Sequence, residues 1–115
     1  MSTLYGIPNC STVKKARAWL DSHAQPVTFH DFKKAGLTRA DVERWLEQQP
    51  LSVLINRKGT TWRALDEAQK AAADERDSAI ELMLARPSLI KRPVLEHGGR
   101  VLVGFDETVY AGVFA

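Results

Sequence analysis

Near its start the chain changes hydrophobic period within a few residues, and that change limits what the rest can become. Thr3-Leu4-Tyr5-Gly6-Ile7 reads as a short strand with weak alternation. Pro8-Asn9 ends it, since this pair belongs in a turn. From Ser11 to about His23 the repeat becomes helical. Val13, Ala16, Trp19 and Leu20 share one face, and Lys14, Lys15, Arg17 and Asp21 take the other. Pro26-Val27-Thr28-Phe29-His30 is a second strand, which gives a βαβ start.

The middle of the chain reads as helical. Lys33-Lys34-Ala35-Gly36 is a loop, and Thr38 with Asp41 three residues later is an N-cap signal. Val42, Trp45 and Leu46 form the apolar stripe of that helix, and Pro50 closes it. Leu51 to Ile55 is a short apolar run, followed by a polar, turn-prone connector at Asn56-Arg57-Lys58-Gly59-Thr60-Thr61. Trp62 to Leu65 reads as one further helical turn. A longer helix is expected to start at Ala71-Ala72-Ala73-Asp74-Glu75-Arg76. It continues through Ala79, Ile80, Met83 and Leu84 and stops before Pro87. Strand signals return with Val94-Leu95-Glu96 and Arg100-Val101-Leu102-Val103, on either side of a His97-Gly98-Gly99 turn. Asp106-Glu107 then precede a short terminal helix carrying Val109, Tyr110 and Val113. The order βαβ, helices, ββα implies an α/β fold with a mixed four-stranded sheet packed by helices. The expectation is a single domain over residues 1–115, with a helical insertion at about 37–86.

Composition removes several function classes. Sixteen basic and 14 acidic residues leave a formal charge of +2, and the acids are mixed in along most of the chain. A nucleic-acid binder usually gathers positive charge on one face, so none is expected as a partner. No apolar run approaches the ~20 residues of a membrane span. No basic region followed by an apolar stretch marks a signal peptide at the start. The lone cysteine cannot form an internal disulfide, so a reducing compartment, the cytoplasm, is the default. His23, His30 and His97 lie far apart and are not spaced as metal ligands with Cys10, so no metal is expected.

That one cysteine, Cys10, stands where the turn runs into the helix. The first turn of a helix has N–H groups without helical partners, and its dipole favours negative charge. A thiol there should carry more thiolate, the reactive form. Ser11 and Thr12 add hydroxyls in the same turn, and Lys14 and Lys15 add positive charge one turn on. The competing reading is a small buried hydrophobe, since free cysteines are often buried. Pro8-Asn9 favours reactivity because it delivers Cys10 from a strand end to a helix start. Val13 stands where a C-x-x-C motif would have its second thiol, so an oxidised Cys10 must be reduced from outside. Two arginines have the chemistry to face an anion by fork-like hydrogen bonds: Arg57 in the connector, and Arg92 just before Pro93. Taken alone, each reads first as solvated surface charge.

The stretches L-Y-G-I-P-N-C-S-T-V-K-K-A-R-A-W-L, V-T-F-H-D-F, N-R-K-G-T-T-W-R and L-M-L-A-R-P-S-L-I-K-R-P-V-L together carry a family likeness. The chain resembles the ArsC/Spx family, the arsenate-reductase-like branch of the thioredoxin fold. It is most similar to a small bacterial subgroup of ArsC-family reductases with G-I-x-N-C near the start and R-G-T-T-W-R in the middle. The resemblance implies a thioredoxin-like βαβ-ββα fold with an inserted helical section. It makes Cys10 the nucleophile, with Asn9, Ser11 and Thr12 around it. It places the family's anion-binding arginines on Arg57 and Arg92, and its cis proline on Pro93. A third family arginine falls on Gly104, a departure that removes one donor for a tightly held arsenate.

The activity this implies is that of a glutathione-dependent thiol/disulfide oxidoreductase. Glutathione would be a co-substrate, glutaredoxin a candidate partner, and no cofactor would be permanently bound. One alternative is arsenate reduction linked to glutathione and glutaredoxin. Another is an Spx-like protein that binds RNA polymerase through the helical section, although Trp45 and Trp62 there read first as core or hinge packing. The redox switch of Spx-like proteins uses C-x-x-C, which is missing here.

Overall fold

The computed structural model describes residues 2–114, and the expected strand-turn-helix opens it. Strand β1 is Ser2–Gly6, Pro8 and Asn9 form the turn, and helix α1 is Ser11–Ser22. Strand β2 is Thr28–Asp31, later than the Pro26–His30 stretch read from sequence. The shift follows from how α1 ends. Ala24 adopts φ +53°, and Gln25 N–H donates to Leu20 O at 2.9 Å, so the residues after the helix are spent closing it. Strands β3 (Val94–His97) and β4 (Arg100–Val103) make the late hairpin. His97 pairs with Arg100 across it, and both turn residues, Gly98 and Gly99, have positive φ. Two glycines meet that demand at no steric cost, which is why this turn is so legible.

The sheet order is β2-β1-β3-β4. Strands β1 and β2 are parallel, while β1–β3 and β3–β4 are antiparallel. The result is the mixed four-stranded sheet of a thioredoxin-like fold. Register puts Leu4 beside Phe29 on one side and Leu95 on the other, and Leu95 beside Leu102. This row packs against Ala16, Trp19 and Leu20 of α1 and against Tyr110 of the terminal helix. Each fully buried side chain of this size contributes roughly 1.5–3 kcal/mol of apolar transfer. Trp19 and Tyr110 meet edge-to-face with ring centroids 5.6 Å apart.

By its contacts the chain divides into two compact units. One holds the chain up to Ala35 and resumes at Arg92, and the other is Gly36–Lys91. The second unit contains α2 (Arg39–Leu46), α3 (Leu51–Leu54), α4 (Thr60–Arg63), α5 (Glu67–Ala72), α6 (Arg76–Ala85) and a 3-10 turn at Pro87–Leu89. Thr38 and Asp41 form a full capping box at the start of α2. The short apolar run at 51–55 is mostly a helical turn, with Pro50 at its N-cap. The single helix expected from Ala71 is two helices. Asp66 and Gln69 make a second capping box that starts α5 early, and Glu75, extended at φ −118° and ψ 143°, separates α5 from α6. Val42, Trp45, Leu54, Ile80 and Met83 form the interior of this unit. The residues after α3 are tied to the end of the unit by an Ile55–Ile90 bridge, flanked by Asn56 N–H to Leu89 O and Lys91 N–H to Leu54 O, both at 2.8 Å. The terminal helix of the first unit, α7, is Glu107–Val113, capped by Asp106.

Candidate active site

Cys10 is the N-cap residue of α1, with extended backbone at φ −88° and ψ 126°. Two contacts at the end of β1 fix that position. Gly6 O accepts from Phe32 N–H at 3.1 Å, which holds the end of β1 to the start of the loop after β2. Gly6 also lies so close to α1 that a Cβ there would sit 2.8 Å from a Val13 methyl. The absence of a side chain lets the helix start approach the strand. The turn then closes with Cys10 N–H to Ile7 O at 3.4 Å, and the helix begins with Lys14 N–H to Cys10 O at 3.0 Å.

The thiol is half-buried, and its pKa is lowered from the ordinary value. Burial alone pushes it up. Opposing that are the Val13 N–H, the Arg92 side chain as hydrogen-bond donor, the Thr12 N–H and the Arg92 charge, in decreasing order. Together they outweigh burial. The neutral thiol makes no formal capping hydrogen bond. The two N–H groups act instead on the charged form, as the open end of a helix does for any anion.

The site residues read from sequence fall as follows. Asn9 and Ser11 are exposed, and Thr12 is half-buried beneath them. Lys14 and Lys15 point to solvent. Arg92 is brought to Cys10 from far along the chain. The Arg92–Pro93 peptide bond is cis, as the resemblance implied, and buried Pro93 leads into β3. Pro93 O accepts from Gly104 N–H at 2.8 Å. Gly104 is buried with φ +81°, a conformation that disfavours an arginine there. Arg57 belongs to the helical unit. Its Nη2 lies 3.5 Å from Asp74 Oδ1, and its guanidinium carbon lies 4.8 Å from the centre of the Trp62 ring. Sequence reading did not single out the Val13 N–H, the strongest of the groups that lower the thiol pKa. Its signal was the helix start itself, because a backbone donor leaves no mark in residue type.

Among the described residues no group of three or more His, Cys, Asp or Glu is placed to hold a metal ion. No described helix is long and apolar enough to cross a membrane.

The sequence model of the ArsC family matches residues 5–113. An uncharacterized protein of Haemophilus influenzae is 41% identical over 115 residues, spanning all of both chains. Among solved structures, the YFFB protein is 53% identical with a TM-score of 0.92, and each chain is wholly covered. A structure described as an arsenate reductase (ArsC) related protein from Brucella melitensis is 48% identical with a TM-score of 0.74, covering 98% of this chain and 93% of that one.

Proposed function

The chain belongs to the ArsC family, and from that premise we propose that it is a glutathione-dependent thiol/disulfide oxidoreductase with Cys10 as its only nucleophile. One observation carries the reading: a lone thiol at a helix N-cap, its pKa lowered by the Val13 N–H, Arg92 and the Thr12 N–H against the opposing effect of burial. In the first step the Cys10 thiolate attacks the glutathione sulfur of a mixed disulfide. A Cys10–glutathione disulfide forms, and the substrate thiolate leaves and takes a proton from water. In the second step a thiolate from free glutathione attacks the glutathione sulfur of that disulfide. Glutathione disulfide is released and Cys10 returns as thiolate. The substrate disulfide is reduced, and two glutathione units end up oxidised. With one cysteine, no internal disulfide can replace the second step.

Arg92 stabilises the attacking thiolate and neutralises an approaching anionic group. Ser11, Thr12 and Asn9 supply polar groups at the helix start, and Pro93 shapes its surroundings. The resemblance assigns anion binding to Arg57 as well. Arsenate is a weaker substrate reading, because Gly104 offers no side chain where the family has a third arginine, and its N–H is held by Pro93 O.

The test is the pH dependence of Cys10 alkylation by iodoacetamide, in the wild type, Arg92→Lys and Arg92→Ala. The apparent pKa is expected below that of a free thiol in the wild type. It should move upward in Arg92→Lys and further in Arg92→Ala. Reduction of a glutathione mixed disulfide is expected to vanish in Cys10→Ser. An ordinary value of about 8.5 that does not respond to Arg92→Ala would refute the proposal.

A further inference from the structure

Arg57 is held from two sides. Its backbone leaves a tied segment: Asn56 N–H bonds Leu89 O at 2.8 Å, and Asn56 Oδ1 accepts from Lys58 N–H at 3.1 Å. The start of the side chain is therefore fixed, and the freedom that remains is rotameric. The guanidinium lies over the face of Trp62 at 4.8 Å, within the ~6 Å range over which a ring attracts a cation. On its other flank stands the Asp74 carboxylate at 3.5 Å. Asp74 occupies the break between α5 and α6 and is 68% exposed, while Arg57 is 41% exposed. A carboxylate this open, at a distance longer than a good charged hydrogen bond, forms a weak and replaceable pair.

We infer that Trp62 and Asp74 are positioning residues for Arg57: the ring holds the guanidinium in place, and the carboxylate occupies it until a stronger anion displaces it. The inference rests on the anion-binding role proposed above for Arg57 and specifies how that role is regulated. The two partners act in opposite senses. Trp62 attracts the cation through its ring and offers it no acceptor atom, so it holds the guanidinium without occupying it as an anion would. Asp74 competes for the guanidinium N–H groups, so an incoming anion must exceed a single carboxylate in charge or in bidentate fit. A sulfate, phosphate or arsenate dianion meets that condition by charge, and a carboxylate that pairs with both N–H groups of the fork meets it by fit, since Asp74 makes a single contact at 3.5 Å.

The probe is inorganic sulfate, followed at the Arg57 Nε–Hε NMR signal of the whole protein. Asp74→Asn should shift that signal before any sulfate is added, and Asp74→Glu should restore it. Removal of a competing exposed carboxylate should tighten the sulfate Kd read at Arg57 by about two- to fivefold. Trp62→Leu should weaken it, and Trp62→Phe should recover most of the loss. Backbone spectra of each variant establish that the fold is kept. If sulfate shifts the Arg57 signal but Asp74→Asn leaves the Kd unchanged, the gating role is overturned while the anion role stands. If sulfate fails to shift the signal in every variant, the anion role of Arg57 and this inference both fall. If Asp74→Asn and Trp62→Leu change the Kd in the same direction, the proposed division of labour is wrong.

Discussion

Gly6→Ala tests whether the close approach of β1 to α1 sets the site. The added Cβ would lie 2.8 Å from one Val13 methyl and 3.4 Å from the other. Carbon atoms prefer about 3.5–4.0 Å, so the nearer contact is short by most of an ångström. Val13 is fully buried and cannot swing clear, so the helix start itself must move. Overpacking of this kind costs about 1–3 kcal/mol. With a urea m-value of roughly 1–3 kcal/mol/M, the unfolding midpoint should fall by about 1 M. Val13→Ala alone should cost about 1–3 kcal/mol, taken as two buried methyls. In the double variant the new Cβ enters space that the valine has vacated, so the loss should fall short of the sum by about 1 kcal/mol or more. The second readout is chemical. Moving Val13 moves its N–H, the strongest group lowering the Cys10 pKa, so alkylation of Gly6→Ala should require higher pH. Additivity of the two substitutions within about 0.5 kcal/mol would refute the packing argument. A destabilised Gly6→Ala with unchanged Cys10 titration would refute its link to the site.

Two further substitutions test the local devices that shape the elements. Ala24 holds a left-handed conformation at the end of α1, a cost of about 1–2 kcal/mol for an L-residue. Ala24→Gly removes that cost and gives back about 0.5–1 kcal/mol in chain freedom, so urea unfolding should show a net gain; a loss would refute the assignment. Thr38→Ala breaks the capping box of α2 and should cost about 1 kcal/mol at neutral pH. Burial raises the Asp41 pKa, but the Thr38 N–H, the Arg44 side chain, the Thr38 hydroxyl and the Arg44 charge lower it overall. A carboxyl with a depressed folded pKa stabilises above its unfolded value, 3.8 for Asp41, and loses that contribution as pH falls through the folded value. The gap between wild type and Thr38→Ala should therefore narrow below about pH 4, because the variant loses the Thr38 hydroxyl that favours the Asp41 carboxylate while the backbone N–H remains; a gap independent of pH would rule out the hydroxyl's contribution to Asp41.

Features carried by neighbouring residues were the ones legible in the sequence. The strand-turn-helix at 3–23, the Thr38–Asp41 cap and the Gly98-Gly99 hairpin each place their signal within a few positions, and each is present. The fold class followed from their order. What sequence missed depended on competition between local signals. Asp66 with Gln69 is as good a capping box as Thr38 with Asp41, but the alanine run after it drew attention to a later start. Pro26 and Val27 read as strand because they are apolar and followed by Thr28 and Phe29. The chain needed those positions to leave the left-handed turn at Ala24, and β2 begins at Thr28.

The candidate site divides along the same line. Cys10 could be placed at a helix start from residues 8–13 alone, because the thiolate is stabilised there by backbone groups that any helix start supplies. Arg92 could not be placed that way. It lies 82 positions further along the chain, and in isolation it reads as surface charge. Only β1–β3 pairing, with Tyr5 opposite Val94, brings the residue before Pro93 to the end of β1 from which the turn to Cys10 departs. The register that aligns Leu4 with Leu95 in the core is thus the register that delivers a guanidinium to the thiol. A slip of one residue would turn both rows to the wrong face at once. Core packing thereby guards the electrostatics of Cys10, and the thiol's lowered pKa is a property of the sheet as much as of the helix.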